Sequence, residues 1–151
     1  MIRLFVAIPL PETVRDQLAG LSAGVRGARW NPPENMHLTL RFIGEVEEPS
    51  FADIAGVLSM IEARAFPLRL QGVGQFGDRR RARVLWAGVA RSEPLQALRG
   101  RIEGLLQRAG IAPEGRRYSP HVTLARLKGT RPAHVAPFLA AHGGFQTAAF
   151  Q

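Results

Sequence analysis

His37-Leu38-Thr39-Leu40 and His121-Val122-Thr123-Leu124 are two copies of one four-residue pattern. Each copy alternates in the way a half-buried strand does. Alternate residues of a strand share a face. His37 and Thr39 therefore point one way, while Leu38 and Leu40 point into the core. His121 and Thr123 stand in the same way above Val122 and Leu124. Residues two apart on a strand lie roughly 6 to 7 Å from each other, so an imidazole and a hydroxyl can flank one phosphate group.

The duplication extends outward from these motifs. Arg3-Leu4-Phe5-Val6-Ala7 is similar to Arg83-Val84-Leu85-Trp86-Ala87, and each is followed by a helical pattern, a His-x-Thr strand and a second helical pattern. Phe51 and Ile54 sit as far beyond His37 as Val135 and Phe138 sit beyond His121. This frame predicts an α+β fold over residues 1–151, a single domain of two lobes related by a pseudo-twofold axis. Its mainly antiparallel sheets would face a central cleft, with helices packed outside and the two histidine strands opposed.

Strands are expected over residues 2–8, 36–43, 66–73, 83–90, 118–127 and 145–150. Helices are expected over 11–26, 49–64, 92–109 and 132–141. Ser92 is a good N-cap for the third helix, with Glu93 and Pro94 in its first turn. Leu95, Leu98, Ile102, Leu105 and Leu106 then form its apolar stripe. Residues 31–35 read as a loop, and Arg79-Arg80-Arg81 as a hairpin tip.

Composition narrows the chemistry. The 151 residues are 46% hydrophobic, enough for one compact domain with a core. The formal charge is +8, and Lys128 is the only lysine. Arginine favours bidentate contacts with phosphate and carboxylate, which suits an anionic partner such as RNA. The chain contains no cysteine, which excludes disulfides, thiolate metal sites and a cysteine nucleophile. The N-terminal apolar run is broken by Pro9 too early for a signal peptide. No run approaches a membrane span. A cytoplasmic protein, a monomer without membrane contact, is the expectation.

Histidine transfers protons near neutral pH. One neutral imidazole can take a proton from an attacking water or hydroxyl, while a second, protonated, gives one to the leaving oxygen. Threonine hydroxyls can donate to non-bridging phosphate oxygens and hold the phosphorus in line. This arrangement needs no cofactor and no metal. A zinc reading lacks a third ligand, since there is no cysteine and neither motif carries an acid on its histidine face.

The sequence resembles the two-histidine phosphoesterases of the RNA 2′,3′-cyclic phosphodiesterase type, also described as 2′-5′ RNA ligases. The resemblance runs from Arg3-Leu4-Phe5-Val6-Ala7-Ile8-Pro9 through Arg29-Trp30, His37-Leu38-Thr39-Leu40-Arg41-Phe42-Ile43-Gly44 and Val84-Leu85-Trp86-Ala87-Gly88 to Ser119-Pro120-His121-Val122-Thr123-Leu124-Ala125-Arg126. It implies hydrolysis of a 2′,3′-cyclic phosphate at an RNA end to a 2′-phosphate. It further implies His37 as proton donor to the leaving 3′-oxygen, His121 as the base on water, and Thr39 and Thr123 as phosphate ligands. Related readings are ligation in the reverse direction, another nucleotide substrate, or an RNA-binding module without turnover. The family continues with strands that close one lobe, whereas this sequence stops at Gln151, so C-terminal strands are expected to be missing from it.

Three further residues are candidates for substrate contact. Arg41 falls on the histidine face by strict alternation. Arg126 falls on the opposite face and would need a bulge or a strand end to join it. Tyr118, like Phe42, Phe76 and Trp30, offers a stacking face for a base. His134 and His142 have no threonine partner and receive no role.

Overall fold

The computed structural model describes residues 1–78 and 80–151. Its elements, in chain order, are β1 (Ile2–Pro9), α1 (Glu12–Leu21), β2 (Ala28–Trp30), β3 (His37–Val46), α2 (Glu48–Leu58), β4 (Leu70–Gly77), β5 (Ala82–Val89), α3 (Glu93–Arg108), β6 (His121–Thr130) and α4 (Pro132–His142), with one 3-10 turn at Pro33–Asn35. The α+β class is as expected. The described residues divide into two compact units that interleave along the chain. No helix among them is long and apolar enough to cross a membrane.

One unit comprises Met1–Ile8, Thr39–Phe66 and Arg91–Ser119. It holds most of the two-stranded β1–β3 sheet together with α2 and α3. Ser92 caps α3 as expected, its side chain accepting a hydrogen bond from the Leu95 amide at 3.2 Å. Leu95, Ile102 and Leu106 form the buried stripe of α3, and Glu103 is buried beside them. The expected extension of α2 to residue 64 does not form. The helix ends at Leu58, where the Ser59 hydroxyl donates to the Gly56 carbonyl at 2.6 Å, a side-chain bond that competes with further helix.

The other unit comprises Pro9–Leu38, Pro67–Ala90 and Pro120–Gln151. Its sheet has the order β2-β6-β5-β4, and all three pairings are antiparallel. Leu85, Ala87, Val122, Leu124 and Ala125 are fully buried in it. Helix α1 stops five residues short of the expected Arg26. Ser22 Oγ bonds back to the Leu18 carbonyl, and Gly24 and Gly27 then take positive φ angles of 86° and 76°. These two glycines turn the chain into β2, a three-residue strand that sequence periodicity is too short to show. The expected strand over 66–73 forms further along, at Leu70–Gly77, with an irregularity between Leu70 and Val73 where Gly72 takes φ 74°. The segment after α4 makes two isolated bridges, Gln71 to Gln146 and Leu68 to Phe150, in place of the expected strand.

The hairpin between β4 and β5 is closed by Asp78, whose carboxylate accepts from the backbone amides of Arg80 and Arg81, each at 2.8 Å. These two bonds hold the Asp78 carboxyl below its ordinary range. Arg80 and Arg81 stand exposed there, while Arg79 lies outside the described residues.

Candidate active site

Strand β6 shows the expected alternation. His121 and Thr123 are half-buried, and Val122 and Leu124 beneath them are fully buried. His121 stands opposite Gly88 of β5, and Thr123 opposite Trp86. The Phe76 ring meets the His121 imidazole edge-on, with centroids 4.8 Å apart and planes at 87°. Trp86 lies 5.4 Å from Phe76 and 6.4 Å from His121. Contacts of this geometry restrict how the imidazole can turn.

Glycine makes room for this cluster. A Cβ at Gly74 would lie 2.3 Å from the Trp86 indole. Gly74→Ala must therefore displace the indole that packs with Phe76 and His121. We expect a loss of about 1–3 kcal/mol of stability and a shifted tryptophan emission, read by thermal melting and fluorescence.

Arg126 reaches the histidine face through a bulge. One step along β5, from Leu85 to Trp86, matches two steps along β6, from Ala125 to Thr123. The extra residue reverses the alternation beyond it. Leu124 and Ala125 are consequently both buried, and Arg126 emerges exposed on the side of Thr123.

Strand β3 repeats this burial pattern. His37 and Thr39 are half-buried and Leu38 and Leu40 buried, but Arg41 is buried as well and Phe42 is exposed. The expectation that Arg41 lies on the histidine face as a substrate contact is corrected by this placement. Its Nε pairs with Glu103. Nη1 donates to the Phe42 carbonyl at 2.9 Å and Nη2 to the Ala112 carbonyl at 2.6 Å. Every guanidinium nitrogen thus has a protein acceptor, at a site 7% exposed. Strict alternation misplaced this residue because the inward phase shifts by one after Leu40. The exposed position in the first copy belongs to Phe42, with the Arg3 guanidinium 5.1 Å from its ring centre.

Tyr118 is half-buried, and its hydroxyl donates to the Thr39 carbonyl at 3.1 Å. Arg99 lies 5.1 Å from the centre of its ring and also pairs with Glu103 at 3.3 Å. Burial pushes the Tyr118 phenol up to about 12, against a smaller opposing effect of Arg99. The hydroxyl therefore stays protonated at neutral pH and remains a donor. Trp30, another stacking candidate, packs against Phe138 with centroids 5.7 Å apart.

Sequence reasoning missed Glu103 and Asn31. Glu103 had a visible signal, a carboxylate beside Ile102 and Leu106 on the apolar stripe. Asn31 looked like any loop residue. Its amide nitrogen donates to the Leu124 carbonyl at 2.8 Å, and its side chain donates to the carbonyls of Thr123 at 3.3 Å and Asn35 at 3.4 Å. Among the described residues, no group of three or more His, Cys, Asp and Glu side chains is placed to hold a metal ion.

An α+β chain with paired His-x-Thr strands defines the class of two-histidine phosphoesterases. The model of the LigT-like phosphoesterases matches residues 8–86 and 88–151, and the chain belongs to that family. It is 46% identical over 99 residues to an RNA 2′,3′-cyclic phosphodiesterase of Aeropyrum pernix, a match spanning 65% of this chain and 56% of that protein. It is 32% identical over 134 residues to the protein of the same name from Archaeoglobus fulgidus, covering 87% and 76%. The crystal structure of TT0787 of Thermus thermophilus superposes with a TM-score of 0.75 at 34% identity, over 87% of this chain and 77% of that one. This chain thus spans just over half of the Aeropyrum protein and about three quarters of the other two.

Proposed function

We propose that this phosphoesterase hydrolyses 2′,3′-cyclic phosphates at RNA ends to 2′-phosphates by acid–base catalysis between its two motif histidines. The supporting observation is that both His-x-Thr strands carry histidine and threonine half-buried above buried aliphatic residues. His37 and His121 fall in the same compact unit.

In this reading His121 takes a proton from water as the water oxygen bonds to phosphorus. The bond from phosphorus to the 3′-oxygen breaks, and His37 protonates that oxygen. The phosphate stays on the 2′-oxygen. Thr39 and Thr123 donate to the non-bridging oxygens, and the Arg126 guanidinium offsets charge that grows on them. The same reading takes the enzyme to work as a cytoplasmic monomer with RNA as its partner.

The test is incubation of the 151-residue chain with a nucleoside 2′,3′-cyclic phosphate in excess EDTA, with the product resolved as 2′- or 3′-phosphate. We expect EDTA-insensitive turnover to the 2′-phosphate alone. The rate should follow a bell-shaped pH profile, since one histidine must be neutral and the other protonated. Absence of turnover, or a 3′-phosphate product, would overturn the reading.

A further inference from the structure

Each motif threonine has its backbone carbonyl held by a side-chain donor, and each donor comes from the segment that leads into the other motif. Tyr118 lies three residues before His121, and its hydroxyl bonds the carbonyl of Thr39. Asn31 lies six residues before His37, and its amide group bonds the carbonyl of Thr123. Each bond lies within one compact unit. The chain itself carries the link from each donor to the neighbouring histidine.

The Thr123 carbonyl stands where the β2–β6 ladder gives out. β2 pairs with β6 as far as Trp30 opposite Ala125. The β6 bulge begins just there and disturbs the regular carbonyl pattern. Asn31 meets two successive carbonyls, that of Leu124 with its backbone and that of Thr123 with its side chain. It therefore clamps the bulge that sets Arg126 on the side of Thr123. β3 belongs to a sheet of two strands, a number marginal by itself. Tyr118 braces it from outside that ladder, and Arg99 lies across the Tyr118 ring.

We propose that Asn31 and Tyr118 are positioning residues, each setting the threonine, and through it the histidine, of the motif opposite to the one it precedes. The inference rests on the acid–base reading above. It gives Tyr118 a role other than the substrate contact expected from sequence, and gives Asn31 a role where sequence offered none. Neither side chain touches substrate in this scheme. Their loss loosens the in-line geometry without removing a binding group, so kcat falls and KM holds.

The experiment compares the wild-type chain with Tyr118→Phe, Asn31→Ala and Asn31→Asp, using a nucleoside 2′,3′-cyclic phosphate in EDTA. Asn31→Asp keeps the shape and loses both amide hydrogens. The loss of the bond to the threonine carbonyl should lower kcat about three- to tenfold in Tyr118→Phe and at least that far in the Asn31 variants, which also lose the bond to the Asn35 carbonyl, with KM within about twofold of wild type. The carbonyl carbon resonance of Thr39 should move in Tyr118→Phe and hold in Asn31→Ala, and that of Thr123 should do the reverse. A raised KM at unchanged kcat would make these residues substrate contacts and overturn the inference. So would wild-type kcat in all three variants, or immobile carbonyl resonances whatever the turnover. Inactivity of the wild type itself would instead overturn the proposed function, and the carbonyl resonances would still decide whether the tethers exist.

Discussion

Alanine at His121 is expected to lower kcat on a 2′,3′-cyclic phosphate by about 10²- to 10⁴-fold, and alanine at His37 by a similar factor. The melting temperature should fall only slightly in either, because each imidazole stands on the half-buried face and not in the core, with His121→Ala giving up the edge-on contact with Phe76 as well. The two losses should not multiply. Once one proton transfer is missing, the other histidine has no concerted step to assist, so the double variant should sit close to the worse single one. An activated aryl phosphodiester separates the two roles. Its leaving group departs as a stable anion and needs no proton. His37→Ala should recover most of the wild-type rate on that substrate, while His121→Ala still lacks its base. Recovery by His121→Ala instead would exchange the two assignments. Retention of activity by either variant on the cyclic phosphate would remove that histidine from the mechanism.

The motif strands were legible in sequence because their chemistry and their burial share one period. His37, Thr39, His121 and Thr123 follow strict alternation, and the structure keeps it up to the fourth residue of each copy. Beyond that point the sequence misleads, because the inward phase shifts by one residue, in β6 through a bulge, and leaves no mark in composition. Arg41 and Arg126 show the consequence. Alternation counted Arg41 onto the active face, and the structure buries it on Glu103. Alternation counted Arg126 off that face, and the bulge brings it back. The real asymmetry between the copies is therefore Phe42 against Arg126. Long-range partners were the other blind spot. Asn31 and Thr123 are 92 residues apart, and no local pattern connects an amide in a Pro-rich loop to a carbonyl in a distant strand. Short β2 escaped because three residues hold too little periodicity. The well-capped α3 came out within a residue of expectation, since Ser92, Glu93 and Pro94 mark its start by local chemistry alone.

Removal of Glu103 should be the most destabilising single change outside the apolar core. Arg41 and Glu103 are 7% and 9% exposed, so both charges have left water. Their pairing offsets that cost, and Glu103 also takes Arg99 at 3.3 Å. In Glu103→Ala the Arg41 guanidinium stays buried with its carboxylate gone, and only the carbonyls of Phe42 and Ala112 remain to it. Stripping one partner from a buried pair costs about 3–5 kcal/mol. For a chain of this length that is a fall of roughly 6–20 °C in melting temperature. The double variant Arg41→Met/Glu103→Leu separates pairing from packing. It fills the same space with apolar side chains and removes the Arg41 charge, while Arg99 still loses its carboxylate, so it should recover most of the lost melting temperature and not all of it. Should the double variant melt as low as Glu103→Ala, the pair would be needed for more than charge balance. Catalysis offers a second readout. Arg41 lies two residues beyond Thr39 on β3, so a lone buried charge there disturbs the same strand that Tyr118 braces. Glu103→Ala should lose kcat even at temperatures well below its melt, and the double variant should recover most of it. The ion pair then serves the site by keeping β3 in place against α3, a duty that a well-packed apolar pair can also perform.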